Sequence, residues 1–93
     1  MREKTIGQKC REAVRNAGGL ALKFTSSGWD GMPDRLALFP GGRMAFVEVK
    51  APGKKPRPLQ LARHRTLRQL GFRVYVLDDE KKIGGIIDEI RAT

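Results

Sequence analysis

Asp34-Arg-Leu-Ala-Leu-Phe39 and Arg43-Met-Ala-Phe-Val-Glu48-Val-Lys50, separated by Pro40-Gly41-Gly42, decide how this chain folds. Two apolar-rich runs joined by a glycine-containing turn predict a β-hairpin whose strands are antiparallel neighbours. Side chains alternate along a strand, so Met44, Phe46, Glu48 and Lys50 share one face while Ala45, Val47 and Val49 share the other. A turn at residues 40–42 sets residues near 34 opposite residues near 48, which brings Asp34 and Glu48 together. Charges at the end of an apolar strand are costly if buried and unpaired, so this end is expected to open onto solvent, a metal ion or a substrate.

Working outward, Ile6, Cys10, Ala13 with Val14, and Ala17 recur at helical spacing, and Gly18-Gly19 supply a left-handed cap, predicting a helix over 3–17. Leu20 to Phe24 reads as a short strand. Thr25 to Pro33, rich in glycine and ending in proline, reads as a loop. On the other side of the hairpin, Ala51 to Pro58 holds three prolines and two lysines and cannot continue a strand. A helix starts at Leu59, with Leu59, Ala62, Thr66, Leu67 and Leu70 on its packed stripe and Arg63, Arg65 and Arg68 largely off it; Gly71 closes it. Phe72 to Leu77 is a strand by its aromatic and β-branched content. Ile83, Ile86, Ile87 and Ile90 then mark a final helix, forming core or a subunit interface. The expected order is α-β-β-β-α-β-α: one α/β domain over residues 1–93, with a central mixed sheet flanked by helices.

Nineteen Lys and Arg stand against ten Asp and Glu, a formal charge of +9, which favours a polyanionic partner over mere solubility or a membrane surface. Between Arg35 and Leu77 there are ten basic side chains and a single carboxylate, Glu48. A lone acid in so basic a stretch asks for a reason, either an ion pair or a function. No apolar run approaches the roughly 18 residues of a membrane span, and no secretory signal is evident, so a soluble, cytoplasmic chain without a membrane partner is expected. The single Cys10 reads as a small apolar core residue, and no Cys/His cluster has zinc-ligand spacing.

Paired carboxylates are hard oxygen ligands suited to Mg²⁺ or Mn²⁺. A lysine two residues from one of them would sit where it could orient a water or stabilise charge on phosphorus. These are the parts of a hydrolase. The ordinary alternative makes Glu48 and Lys50 a cross-sheet ion pair and Asp34 a turn residue, and Glu-x-Lys alone is a weak motif.

Its setting adds weight. Gly31-Met-Pro-Asp34, thirteen residues, then Glu48-Val-Lys50 lie on two hairpin strands between a first helix and a basic second one. This arrangement resembles the PD-(D/E)xK nuclease superfamily, with its restriction-endonuclease-like αβββαβ core. Gly18-Gly19, Gly31-Met-Pro33-Asp34, the Gly41-Gly42 turn, Phe46-Val-Glu48-Val-Lys50-Ala51 and Leu59-Gln60 more narrowly resemble the stand-alone, virus-type VRR-Nuc domain, over nearly the whole chain. The resemblance implies that Asp34 and Glu48 bind a divalent metal, Mg²⁺ or Mn²⁺, with the main-chain carbonyl of Val49. It implies Lys50 as the catalytic lysine and Gln60 near the scissile phosphate. An acidic residue early in the first helix commonly completes such a site; Glu3 has the matching position and Glu12 competes, and physical reasoning alone does not choose between them. A bacterial or virus-infected cell is the implied setting, with no small-molecule cofactor.

Lys54, Lys55 and Arg57 follow the hairpin directly, and Lys23, Arg35 and Arg63 are further candidates for contact with nucleic acid, positioning its backbone without reading sequence. His64, between Arg63 and Arg65 on the polar side of its helix, reads as a surface histidine or a phosphate contact rather than a general base. Trp29 could stack on a base or wedge into a DNA junction, or equally plug a small core or a dimer contact. The combined expectation is a metal-dependent endodeoxyribonuclease, a homodimer acting on Holliday-junction or flap-like DNA. The main rival is a non-catalytic basic module on the same fold; a structural protein with incidental charge is the other.

Overall fold

A computed structural model describes all 93 residues. The elements run α1 (Glu3–Asn16), β1 (Leu20–Lys23), β2 (Arg35–Phe39), β3 (Arg43–Val49), α2 (Pro58–Gln69), β4 (Val74–Leu77) and α3 (Ile83–Arg91), with a single 3-10 turn over Glu80–Lys82. The expected order holds, and the boundaries move by one or two residues. Asp34 and Lys50 lie just outside their strands, and Phe72 precedes β4 rather than opening it. Pro58 opens α2 one residue earlier than expected, since its missing N–H would have no partner in a first turn anyway.

The two glycine stops share one mechanism. At α1, Gly18 takes φ +89°, its N–H donates to the Arg15 carbonyl and that of Gly19 donates to Val14, so the last carbonyls find partners as the chain turns back. Gly71 and Phe72 repeat the arrangement on Arg68 and Leu67 at the end of α2. Gly19 has a second constraint, for an added Cβ would come within 2.5 Å of the Leu38 carbonyl and 2.7 Å of the Phe39 ring.

The sheet order is β1-β2-β3-β4. β2 pairs antiparallel with both β1 and β3, with Arg35 opposite Val47 and Ala37 opposite Ala45. β4 pairs parallel with β3, Glu48 opposite Val76, and a parallel pair needs a crossover, which α2 supplies. Alternation along β3 divides the interior. Ala45, Val47 and Val49 join Ile6, Cys10 and Val14 of α1 and Ile83, Ile87 and Ile90 of α3 in the main core. Phe46 joins Leu67 and Val74 in a smaller cluster under α2, with Phe24 and Phe72 edge-on to it. Ile83, Ile87 and Ile90 of the isoleucine stripe are therefore core, with Ile86 half-buried beside them.

The packed stripe of α2 differs from expectation. Leu59 and Leu70 are exposed, and the buried positions are Gln60, His64 and Leu67. These recur at i, i+4, i+7, a true helical face, but two of the three are polar. The helix is turned by what lies across from it: Phe46 takes Leu67, while Glu48, two residues further along the same face of β3, takes Gln60 and His64.

A candidate metal and phosphate site at the end of the hairpin

The register places Asp34 next beyond the Arg35–Val47 pair and therefore across from Glu48. Asp34 reaches over the strand end, where its Oδ1 accepts the Val49 N–H at 3.0 Å. Its Oδ2 lies 3.3 Å from Arg35 Nη1, which also donates to the Asp34 carbonyl at 3.1 Å. One carboxylate is thus fixed by main chain on one side and by a guanidinium on the other.

Glu48 sits deeper, 2 % exposed. Gln60 Nε2 donates to its Oε2 at 3.4 Å, and Lys50 Nζ stands 3.8 Å from the same oxygen. The other oxygen, Oε1, has no hydrogen-bond partner; what faces it, at 3.6 Å, is Nε2 of His64. Burial, then the nearby Asp34 charge, pushes the Glu48 carboxyl up to about 7, with Glu3 adding to the rise and Lys50 and Arg57 opposing it. The one ammonium beside it, that of Lys50, does not offset its burial. His64 adds no second cation. Burial and the charges of Arg68 and Lys50 push the imidazole below its ordinary value, so it is neutral near pH 7 and its approach to Glu48 is a polar contact rather than an ion pair.

Gln60 is anchored at both ends. Its Oε1 accepts the Arg57 N–H at 2.8 Å, the half of a capping box that a third-position glutamine supplies, while its amide turns to Glu48. A residue that would pass for a surface glutamine therefore ties the first turn of α2 to the carboxylate. His64 is a correction of the same kind. It is fully buried and both ring nitrogens lack partners, so it is neither a surface residue nor a phosphate contact. The flanking arginines concealed a signal that was present: Gln60 and His64 are i, i+4 and share a face with Leu67.

Of the two acidic candidates on α1, only Glu3 is near enough for its charge to be felt at Glu48; Glu12 does not enter. Lys54, Lys55 and Arg57 are exposed on the loop between β3 and α2, and Lys23 is exposed beside Arg35 at the paired end of β1. Arg35 itself is turned onto Asp34. Arg63 lies over the Trp29 ring, 4.1 Å from its centroid, with Nε donating to the Asp30 carbonyl at 2.8 Å. A surface groove of 440 Å³ lies away from the carboxylates. It runs between α1 and β1 and is lined in part by Lys4, Arg11, Lys23 and Arg35, a basic channel that meets the site through Arg35.

These residues fit a divalent cation of the magnesium type. No three acidic, histidine or cysteine side chains converge, so the donors on offer are two carboxylates with main-chain and water oxygens to complete the shell, the way Mg²⁺ is usually held. The raised pKa of Glu48 is what a positive charge beside its carboxylate would relieve.

No family model matches the chain. A curated relative from Acyrthosiphon pisum secondary endosymbiont phage 1, named "Putative nuclease p44", is 49% identical over 80 residues, 86% of this chain and 86% of the relative. A solved structure described as a VRR_NUC domain is similar over 95% of this chain and 97% of its own, with a TM-score of 0.87 and 32% identity.

Proposed function

The chain belongs to the VRR-Nuc family of nucleases, and from that membership we propose that it is a divalent-metal-dependent endodeoxyribonuclease, a single domain that acts as a homodimer on branched DNA. The observation that carries the reading is the meeting of Asp34 and Glu48 at one end of the β2–β3 hairpin, where Glu48 is buried with an oxygen unpartnered and Lys50 stands 3.8 Å away. A protein that only bound DNA would gain nothing from two carboxylates held against the charge of the backbone.

In this reading Asp34, Glu48 and the main-chain carbonyl of Val49 would hold Mg²⁺ or Mn²⁺, and Glu3 would add negative charge at the site from α1 without joining the two carboxylates as a ligand. The bound ion supplies Lewis acidity toward a phosphodiester oxygen and offsets the two carboxylates. Water adds to phosphorus and one phosphorus–oxygen bond to a sugar breaks, leaving a phosphate monoester and a hydroxyl. Lys50, held beside Glu48, orients that water or stabilises the charge that grows on phosphorus. Gln60 holds Glu48 from one side and faces the phosphate at the first turn of α2, and His64 is a positioning residue behind Glu48. Lys54, Lys55 and Arg57 hold the flanking backbone, with Lys23, Arg35 and Arg63 at the margins of the contact. The exposed Leu20 and Leu22 of the edge strand β1 support a second copy, since so short a chain leaves apolar surface that a two-fold partner would cover.

The test is cleavage of labelled four-way-junction, flap and linear duplex DNA by the wild type and by Glu48→Gln, with Mg²⁺, with Mn²⁺ and with chelator, beside sedimentation of the protein. Metal-dependent cutting lost in Glu48→Gln is expected, with paired nicks on branched substrates. Binding without cutting under every metal would replace the enzyme by a DNA-binding module, and a monomer on DNA would remove the paired-cut reading.

A further inference from the structure

Trp29 is the one tryptophan of the chain, and it is 41% exposed in the loop that leads to Asp34. The loop is held in place. Arg63 of α2 lies over the indole and ties down the Asp30 carbonyl. Gly31, at φ +87°, packs so closely on α2 that an added Cβ would lie 2.9 Å from Leu59 Cγ and 3.2 Å from the Leu59 carbonyl. An exposed aromatic on so fixed a support is prepared for contact.

Beside it runs a groove of 180 Å³ that ends at Asp34 itself. Trp29 and Met32 give it apolar wall, Thr25 and Ser26 give hydroxyls, and Asp30 and Asp34 give carboxylates; no lysine or arginine lines it. In a protein of net charge +9 that is an unusual lining, and it decides the ligand. A phosphate would be repelled. A flat, uncharged group with N–H donors at its edge would stack on the indole and donate to the hydroxyls and carboxylates, which describes a nucleobase displaced from pairing.

Taking the nuclease reading as its premise, we propose that this groove receives one unpaired base of the DNA, stacked on Trp29, beside the phosphate to be cut. A base in a continuous duplex is already stacked and cannot enter without being pulled out, which costs a few kcal/mol. A base at a junction, flap or mismatch enters freely. Preference for branched DNA then resides in Trp29 and its groove, while the exposed cations bind any backbone.

The experiment uses the wild-type protein with chelator present, so that nothing is cut. Because Trp29 is the sole tryptophan, its emission reads the site directly. Quenching by an oligonucleotide duplex carrying one unpaired base is expected, with little change on a fully paired duplex of equal length. Trp29→Ala should weaken binding of the unpaired-base duplex about ten-fold and leave the paired duplex unaffected, and Trp29→Phe should keep most of the preference. Equal quenching by both duplexes, or equal loss of both in Trp29→Ala, would overturn the inference. So would an emission change with protein concentration alone, which would mark Trp29 as a contact between copies. Selective quenching without any cleavage once metal is added would leave the base site standing and remove the nuclease instead.

Discussion

Glu48 Oε1 and His64 Nε2 face each other across 3.6 Å of protein interior, and neither atom has a hydrogen-bond partner. A small closure would let the imidazole N–H hold one carboxylate oxygen while Gln60 holds the other, fixing how Glu48 presents itself to a cation. Partners of this kind are worth about 10–100-fold in metal affinity. His64→Leu should therefore weaken Mn²⁺ binding, read by electron paramagnetic resonance, by about ten-fold or more, and His64→Gln should restore part of it. Thermal stability of the metal-free His64→Leu protein should be unchanged or higher, because two buried nitrogens without partners are removed. Unaltered Mn²⁺ affinity in His64→Leu would show that the imidazole only fills space.

Removing the Glu48 charge should raise stability at high pH and leave it nearly unchanged at low pH. Its folded pKa, about 7, is above the ordinary 4.5, so the folded metal-free protein keeps a proton that the unfolded chain has lost. Stability is full below about 4.5 and declines as pH rises toward 7, by about 3 kcal/mol at most. With chelator present, Glu48→Gln should melt above the wild type at pH 8 and close to it at pH 4.5. A difference that does not vary with pH would mean that Glu48 is not titrating inside the protein.

Asp34→Asn and Lys50→Ala should each abolish cleavage while DNA binding is kept. Asp34→Asn should bind as well as the wild type or better, since a negative charge facing the backbone is lost. Electrophoretic mobility shift beside the cleavage assay separates the two effects, and normal cutting by either variant would remove that residue from the site.

Phosphate contacts release counterions, so affinity for a plain duplex should fall steeply with salt. Replacing Lys54, Lys55 and Arg57 one at a time by alanine should lower the slope of log affinity against log salt by about 0.9 for each contact removed. A slope untouched by all three would place the backbone on another surface, of which the basic groove lined by Lys4 and Arg11 is the next to examine.

Two glycines should respond in opposite directions. Gly19→Ala pushes a methyl into the Leu38 carbonyl and the Phe39 ring and should lower stability by about 1–3 kcal/mol, as overpacking does. Gly84→Ala, in α3 with open space around its Cβ position, should raise it by about 0.5–1 kcal/mol through helix propensity. Thermal unfolding of the two variants checks both.

The hairpin, its register and the order of elements were legible because each is written in local chemistry. Pro40-Gly41-Gly42 sets the turn, alternation sets the faces of β3, and Gly18 and Gly71 stop their helices at positions where the chain needs positive φ. The rotation of α2 was not legible. A stripe chosen by hydrophobicity selects Leu59 and Leu70, yet both are exposed, because the helix faces a carboxylate rather than a purely apolar wall. Gln60 and His64 become intelligible as inward residues only once Glu48 lies opposite them. Trp29 was ambiguous for a related reason: the Arg63 that lies over it comes from α2, far along the chain.

The parallel pairing of β3 with β4 also bears on when the site exists. Everything between Val49 and Val74 must cross over before those strands can meet, and that crossover carries Gln60 and His64. Pairing at such separation is slow compared with closing a hairpin. On a ribosome, a nascent chain that has released only its first fifty residues can close β2 on β3, but it leaves Glu48 open to water as an ordinary carboxylate. The enclosed form arises only once α2 has crossed over, so a half-made copy is born with Glu48 bare of the Gln60 and His64 that later cover it.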